Sequence, residues 1–189
     1  MTEMTVEHVE TLTEVQIEAA TQMCDRCYYG DVSIKALIGG NWDIHADYWR
    51  SLIRAGLLEG RVYVLKNQDD EIVSIGVWFE AGNNLFNTEA QRALGFNDFF
   101  TKLTPEAQEW WSQCEDVMAK LWKKGWTKEE KAHRWWCVNL ATDPEYQGRG
   151  YATRIVEQTS KEAKENGCIL GLATGLELNV RATLKSPSQ

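Results

Sequence analysis

The stretch Asn139-Leu140-Ala141-Thr142-Asp143-Pro144-Glu145-Tyr146-Gln147-Gly148-Arg149-Gly150-Tyr151-Ala152 decides the fold. It closes an apolar run, turns at Asp143-Pro144, brackets an arginine with two glycines and opens an amphipathic segment. Residues 134–142 are rich in aromatic and β-branched side chains, the composition of a buried strand. After the glycines, Ala152, Ile155, Val156, Thr159 and Ala163 recur at helical spacing, and Gly167 supplies the stop. A glycine-rich bend opening a helix leaves several backbone N–H groups unpaired and aimed one way. With the positive end of the helix dipole behind them, they suit phosphate oxygens.

Several readings of this bend compete. A P-loop needs Gly-Lys-Ser/Thr, and no lysine follows Gly150. A dinucleotide fingerprint is met at Gly148 and Gly150, with Thr153 in its third small position. However, only 39 residues follow Gly150, too few for the rest of a doubly wound fold. A tight βα turn that uses glycine for geometry alone stays open. So does Gln-x-x-Gly-x-Ala, satisfied by Gln147, Gly150 and Ala152. On that motif, set between strand and helix three quarters along the chain, the sequence resembles the GNAT family of N-acetyltransferases.

The rest of the chain fits one domain. Its 189 residues, 43% apolar and 25% charged, can bury one core but not two large ones. No run approaches a membrane span, and the acidic N-terminus is no secretion signal. A cytoplasmic or nuclear location is expected. A net charge of −8 argues against a nucleic-acid partner and weakly favours a cationic substrate such as an amine. Five scattered cysteines read as reduced thiols. Cys24-x-x-Cys27 falls inside a helical pattern, with no second Cys or His pair at ligand spacing, so it reads as structural and no metal site is expected.

Residues 5–10 alternate like a short strand. Thr13 and Gln16 form a capping box before the stripe Ile17, Ala20, Thr21, Cys24 and Tyr28. Asp31 caps a second helix reaching about Ile38, where Gly39-Gly40-Asn41 breaks the pattern. A helix over 44–57 turns Ile44, Tyr48, Leu52 and Ile53 inward. Residues 62–65 and 72–79, joined by a polar turn, form a hairpin. Residues 81–131 read as a helical, tryptophan-rich insertion, opened by a polar loop and carrying a helix that starts at Thr104-Pro105-Glu106. Its rings suit packing, or alternatively a lid. The lysines 120, 123, 124 and 128 read as a solvated helix face.

The order of elements also resembles the GNAT topology, which implies an α/β (α+β) fold with a mixed, mostly antiparallel central sheet flanked by helices. The resemblance further implies acetyl-CoA as co-substrate, lying in a splay between the strands at 134–142 and 168–174. Backbone groups of Leu140, Ala141 and Thr142 would pair with the pantetheine arm. Those of Gln147, Gly148, Arg149, Gly150, Tyr151 and Ala152 would hold the pyrophosphate, and Asn179 would contact the cofactor. The acceptor would be the amine of a small molecule or peptide. Glu80 is the first candidate base, with Asp143 and Glu145 behind it. Past Ala182 the sequence departs from the family: the tyrosine acid and the last strands are missing, and 183–189 reads as a disordered tail. The expectation is a shortened member, catalytically impaired or completed at its sheet edge by a second copy, with a CoA-binding module or an interaction domain as the alternative.

Overall fold

The computed structural model describes residues 4–113 and 126–173. The helix at 177–182 with Asn179, the tail at 183–189 and the lysines at 120–124 lie outside them.

Five strands form one sheet in the order β1 (Val6–Val9), β2 (Arg61–Lys66), β3 (Ile72–Phe79), β4 (Arg134–Thr142), β5 (Ile169–Gly171). The first four are antiparallel, and β5 runs parallel to β4. The central strand β3 is buried at every residue, so its apolar run shows little alternation.

Alternation along β2 separates two cores. Val62 and Val64 face α1 (Glu14–Tyr28) and α3 (His45–Glu59), while Tyr63 and Leu65 face α8 (Tyr151–Glu165). Helix α1 begins on the expected capping box of Thr13 and Gln16 and buries Ile17, Ala20, Thr21, Met23 and Cys24. The short α2 (Val32–Leu37) is capped by Asp31, whose carboxylate accepts from Ser33 and Ile34. A 3-10 turn over Trp42–Ile44 leads into α3.

Between β3 and β4 the chain forms two short helices, α4 (Glu89–Gln91) and α5 (Asn97–Thr101), joined through a π-helical turn at Arg92–Phe96. Helix α6 follows from 105, described to 113, and α7 (Lys128–Ala132) precedes β4. The sequence pattern reveals α6 but neither α4 nor α5. Around Tyr48 of α3 gather Phe86, Phe99 and Trp111, with Phe96 stacked on Phe86, so these rings serve packing. Strand β5 is shorter than expected. It ends at Gly171 rather than continuing through Ala173.

Candidate cofactor groove

Strand β4 positions everything that follows. Its register on β3 pairs Trp78 with Cys137 but Val77 with Asn139, so Val138 is an extra residue, a β-bulge. On its other side β4 pairs with β5 only at Arg134–Ile169, Trp135–Leu170 and Trp136–Gly171. Among the described residues the pairing ends at Trp136, and the remainder of β4 has no strand partner on this side. The end of this pairing, which a splay would have as its closed end, lies beside the bulge.

Parity fixes which groups face that edge. The N–H of Asp143 donates to Val73 O, and Ala141 O accepts from the Ser74 hydroxyl, so residues 141 and 143 turn their backbone towards β3. Leu140 and Thr142 must then face outward. Their carbonyls already accept from side chains: Leu140 O from Tyr28 Oη at 3.0 Å, and Thr142 O from Cys27 Sγ and Gln147 Nε2, both at 3.1 Å. Their N–H groups have no partner among the described residues. The open edge offers donors to a ligand while its acceptors are occupied.

The loop after β4 is anchored at three places. Asp143 caps the 3-10 turn Pro144–Tyr146 by accepting from the Glu145 N–H, and it also takes the Arg26 guanidinium from α1. Tyr146 Oη accepts from Asn67 Nδ2 in the β2–β3 turn. Arg149 folds back on its own loop, donating to Glu145 O at 3.0 Å with its guanidinium over the Tyr146 ring. Gly148 and Gly150 hold φ of +75° and +78°, conformations costly for any side chain, and open space surrounds the place of a Cβ at both. Gly150 is the N-cap of α8, and no side chain caps that helix. The N–H groups of Gly148, Gly150, Tyr151 and Ala152 take no hydrogen bond among the described residues. Such a set of donors suits an anion, and it is backed by a helix of 15 residues with no acidic side chain in its first turn.

The expected catalytic carboxylates are scattered. Glu80, just past β3, accepts from Arg61, whose guanidinium also lies 4.3 Å over the Trp135 ring on the α8 face. Phe79 pairs with Trp136, so Glu80 lies towards the closed end of the splay. Asp143 and Glu145 lie past the opposite end of β4. At about 3.3 Å per residue they stand more than about 15 Å along the strand from Val138. The Cys24 and Cys27 thiols make separate contacts: Cys24 accepts from Asn139 Nδ2, Cys27 donates to Thr142 O, and burial pushes both up to about 12. No cluster of potential metal ligands occurs among the described residues, and no helix among them is long and apolar enough to cross a membrane.

Three residues of α1, namely Arg26, Cys27 and Tyr28, reach this groove; the sequence marks Tyr28 as a stripe position and Cys27 as a structural thiol, and nothing in it singles out Arg26. Tyr28 was legible as an inward position, but nothing in local spacing joins it to a strand 112 residues away.

Residues 117–183 match the model of the acetyltransferase (GNAT) family, and these residues include β4, the glycine loop and α8. The fold is that of the GNAT acetyltransferases. The structure is similar over 96% of its length to that of a histone acetyltransferase HPA2 and related acetyltransferase from Corynebacterium glutamicum, with a TM-score of 0.62, 11% identity and 82% of that chain covered. Arylalkylamine N-acetyltransferase 2 from Aedes aegypti aligns over 95% of this chain and 82% of its own, at a TM-score of 0.56 and 13% identity. A putative acetyltransferase from Pyrococcus horikoshii aligns over 97% and 88%, at 0.52 and 13%. No curated protein matches the sequence. The GNAT fold thus extends over the described sheet and helices, and the family match falls on the segment that builds the groove.

Proposed function

We propose that this chain is an acetyl-CoA-dependent N-acetyltransferase acting on the amine of a small molecule or peptide. One observation carries the reading: an uncapped helix N-terminus with free N–H groups opens directly onto a splayed strand edge whose free groups are also donors. A diphosphate fits the first, and the amide carbonyls of an extended pantetheine arm fit the second. Gly148 through Ala152 would take the phosphates, and Leu140 and Thr142 would donate to the arm. Ala141, facing β3, is expected to contribute packing instead.

The arm would advance only as far as the pairing of β5 with β4 at Trp136, with the thioester then beside Val138. An amine nitrogen attacks the thioester carbon there, and the bulge, which frees Val138 from the ladder, supplies a donor for the developing oxyanion. The C–S bond then breaks and the nitrogen gives up a proton. Glu80 follows Phe79, the partner of Trp136 at the closed end, and it shares its charge with Arg61, so we assign it the role of base through intervening water.

A CoA-binding module without turnover is the second reading. It is favoured by the engagement of both Glu80 and Asp143 with arginines. Calorimetry with acetyl-CoA, followed by acetyl transfer across phenethylamine, spermidine and a lysine-containing peptide, separates the two. Binding with transfer to at least one amine supports the enzyme. Binding with no transfer supports the module, and absence of binding removes both.

A further inference from the structure

The departing thiolate needs a proton, and the groove contains a donor for it that lies far in sequence from the glycine loop. Resting on the acetyltransferase reading, the geometry points to Tyr28 as the catalytic acid that protonates the coenzyme A sulfur. Its hydroxyl, at the last turn of α1, stands 3.0 Å from Leu140 O and 2.9 Å from Asn139 Oδ1. The hydroxyl's single proton is held between these two acceptors. Leu140 O faces the edge along which the arm would run, so the hydroxyl lies beside that course.

The described side chains that donate to outward-facing carbonyls of this edge are Tyr28, Cys27 and Gln147. Cys27 and Gln147 reach Thr142, at the phosphate end. Tyr28 reaches Leu140, two residues from the bulge, which sets it closer than Cys27 or Gln147 to the closed end where the thioester would stop. The ring is also held for the task. It stacks on Trp49 at 4.6 Å and 21°, Trp49 Nε1 donates to His45 Nε2 at 2.7 Å, and His45 Nδ1 lies 2.8 Å from Asp25. This chain of contacts, otherwise without a role in the reaction, fixes where the hydroxyl sits.

The step balances. As the tetrahedral intermediate collapses, the C–S electron pair moves to sulfur and the Tyr28 O–H proton follows it, leaving free coenzyme A thiol and a phenolate. The proton that Glu80 takes from the acetylated nitrogen passes on through water to the phenolate, so both residues return to their starting states.

The test compares wild type with Tyr28→Phe, using whichever of phenethylamine, spermidine or the lysine peptide is acetylated. The Phe variant is expected to lose about a hundredfold in kcat, while its calorimetric Kd for acetyl-CoA stays within twofold. A variant carrying 3,5-difluorotyrosine at position 28, which keeps the hydroxyl and the packing, should retain kcat at pH 6. It should then lose it at alkaline pH values where wild type is still active. A merely structural Tyr28 would weaken acetyl-CoA binding in parallel with kcat and would give the fluorinated variant the wild-type pH profile. Either of those results, or a Phe variant within threefold of wild type in kcat, overturns the assignment. Failure of wild type to bind acetyl-CoA at all would remove the acetyltransferase reading first, and this one with it.

Discussion

Asp143 Oδ2 accepts from Arg26 Nη2 at 2.5 Å, tying the last turn of α1 to the first residue of the loop that follows β4. The same carboxylate caps the 3-10 turn through the Glu145 N–H. One side chain thus sets both the angle of the loop and its distance from α1. Asp143→Ala should cost about 1–2 kcal/mol, most of it from the lost cap, and should weaken acetyl-CoA binding several-fold. Arg26→Ala, whose side chain is 56% exposed, should cost less than about 1 kcal/mol. Urea melts and calorimetry on the two variants check the order.

Gly150 is left-handed at the mouth of the helix. Gly150→Ala should lower stability by about 1 kcal/mol from backbone strain alone, since nothing stands near its Cβ. Gly150→Asp should fold comparably yet show no heat with acetyl-CoA, because it places a negative charge where the proposed function puts the diphosphate. Retained binding in the aspartate variant would mean that the phosphates lie elsewhere.

Gly76 is small for a different reason. A Cβ there would stand 2.1 Å from the Trp78 ring and 2.9 Å from Ile155 Cγ2, at the seam between β3 and α8. Gly76→Ala should destabilise the fold by about 3 kcal/mol, the upper range for overpacking, and should lower the melting temperature without changing acetyl-CoA affinity in the molecules that remain folded.

Burial holds the His45 imidazole below its ordinary value, against the opposing pull of Asp25. The folded chain therefore binds fewer protons at this site than the unfolded chain, whose histidine titrates near 6.5. Stability falls as pH drops below about 6.5, until the folded imidazole is itself protonated. Glu18 and Glu162, held low mainly by their hydrogen bonds despite burial, lose their contribution only below about 4.5, in a separate window. Urea midpoints between pH 7.5 and 5.5 should decline in wild type, and the slope should flatten in His45→Gln.

Glu80→Gln tests the base. Removing the charge should reduce kcat about tenfold or more near neutral pH while acetyl-CoA affinity is kept. An unchanged kcat would assign proton removal to solvent alone.

Features governed by neighbours in sequence were legible before the structure. The capping box of Thr13 and Gln16, the strand at 134–142 and the helix after Gly150 depend on spacing and on local hydrogen bonds. Residues 89–101 were not, because Gly95 and the π turn interrupt any regular periodicity across them. The groove itself was half legible. Gly148 and Gly150 announce the loop, yet the bulge at Val138 leaves no mark in composition, since it arises from the register with β3. Arg61, which neutralises Glu80, and Tyr28, which reaches Leu140, owe their roles to packing between distant segments.

That the groove's free donors belong to the main chain has one more consequence. Swapping Leu140 or Thr142 for another residue of compatible shape leaves the amide in place and still aimed at the visitor. Sequences can then diverge almost to randomness while the grip on a shared ligand persists, and a substitution scan of these positions would miss the contact altogether. Replacing the amide with an ester at Leu140 or Thr142, by chemical synthesis of the chain, would expose what no change of side chain can.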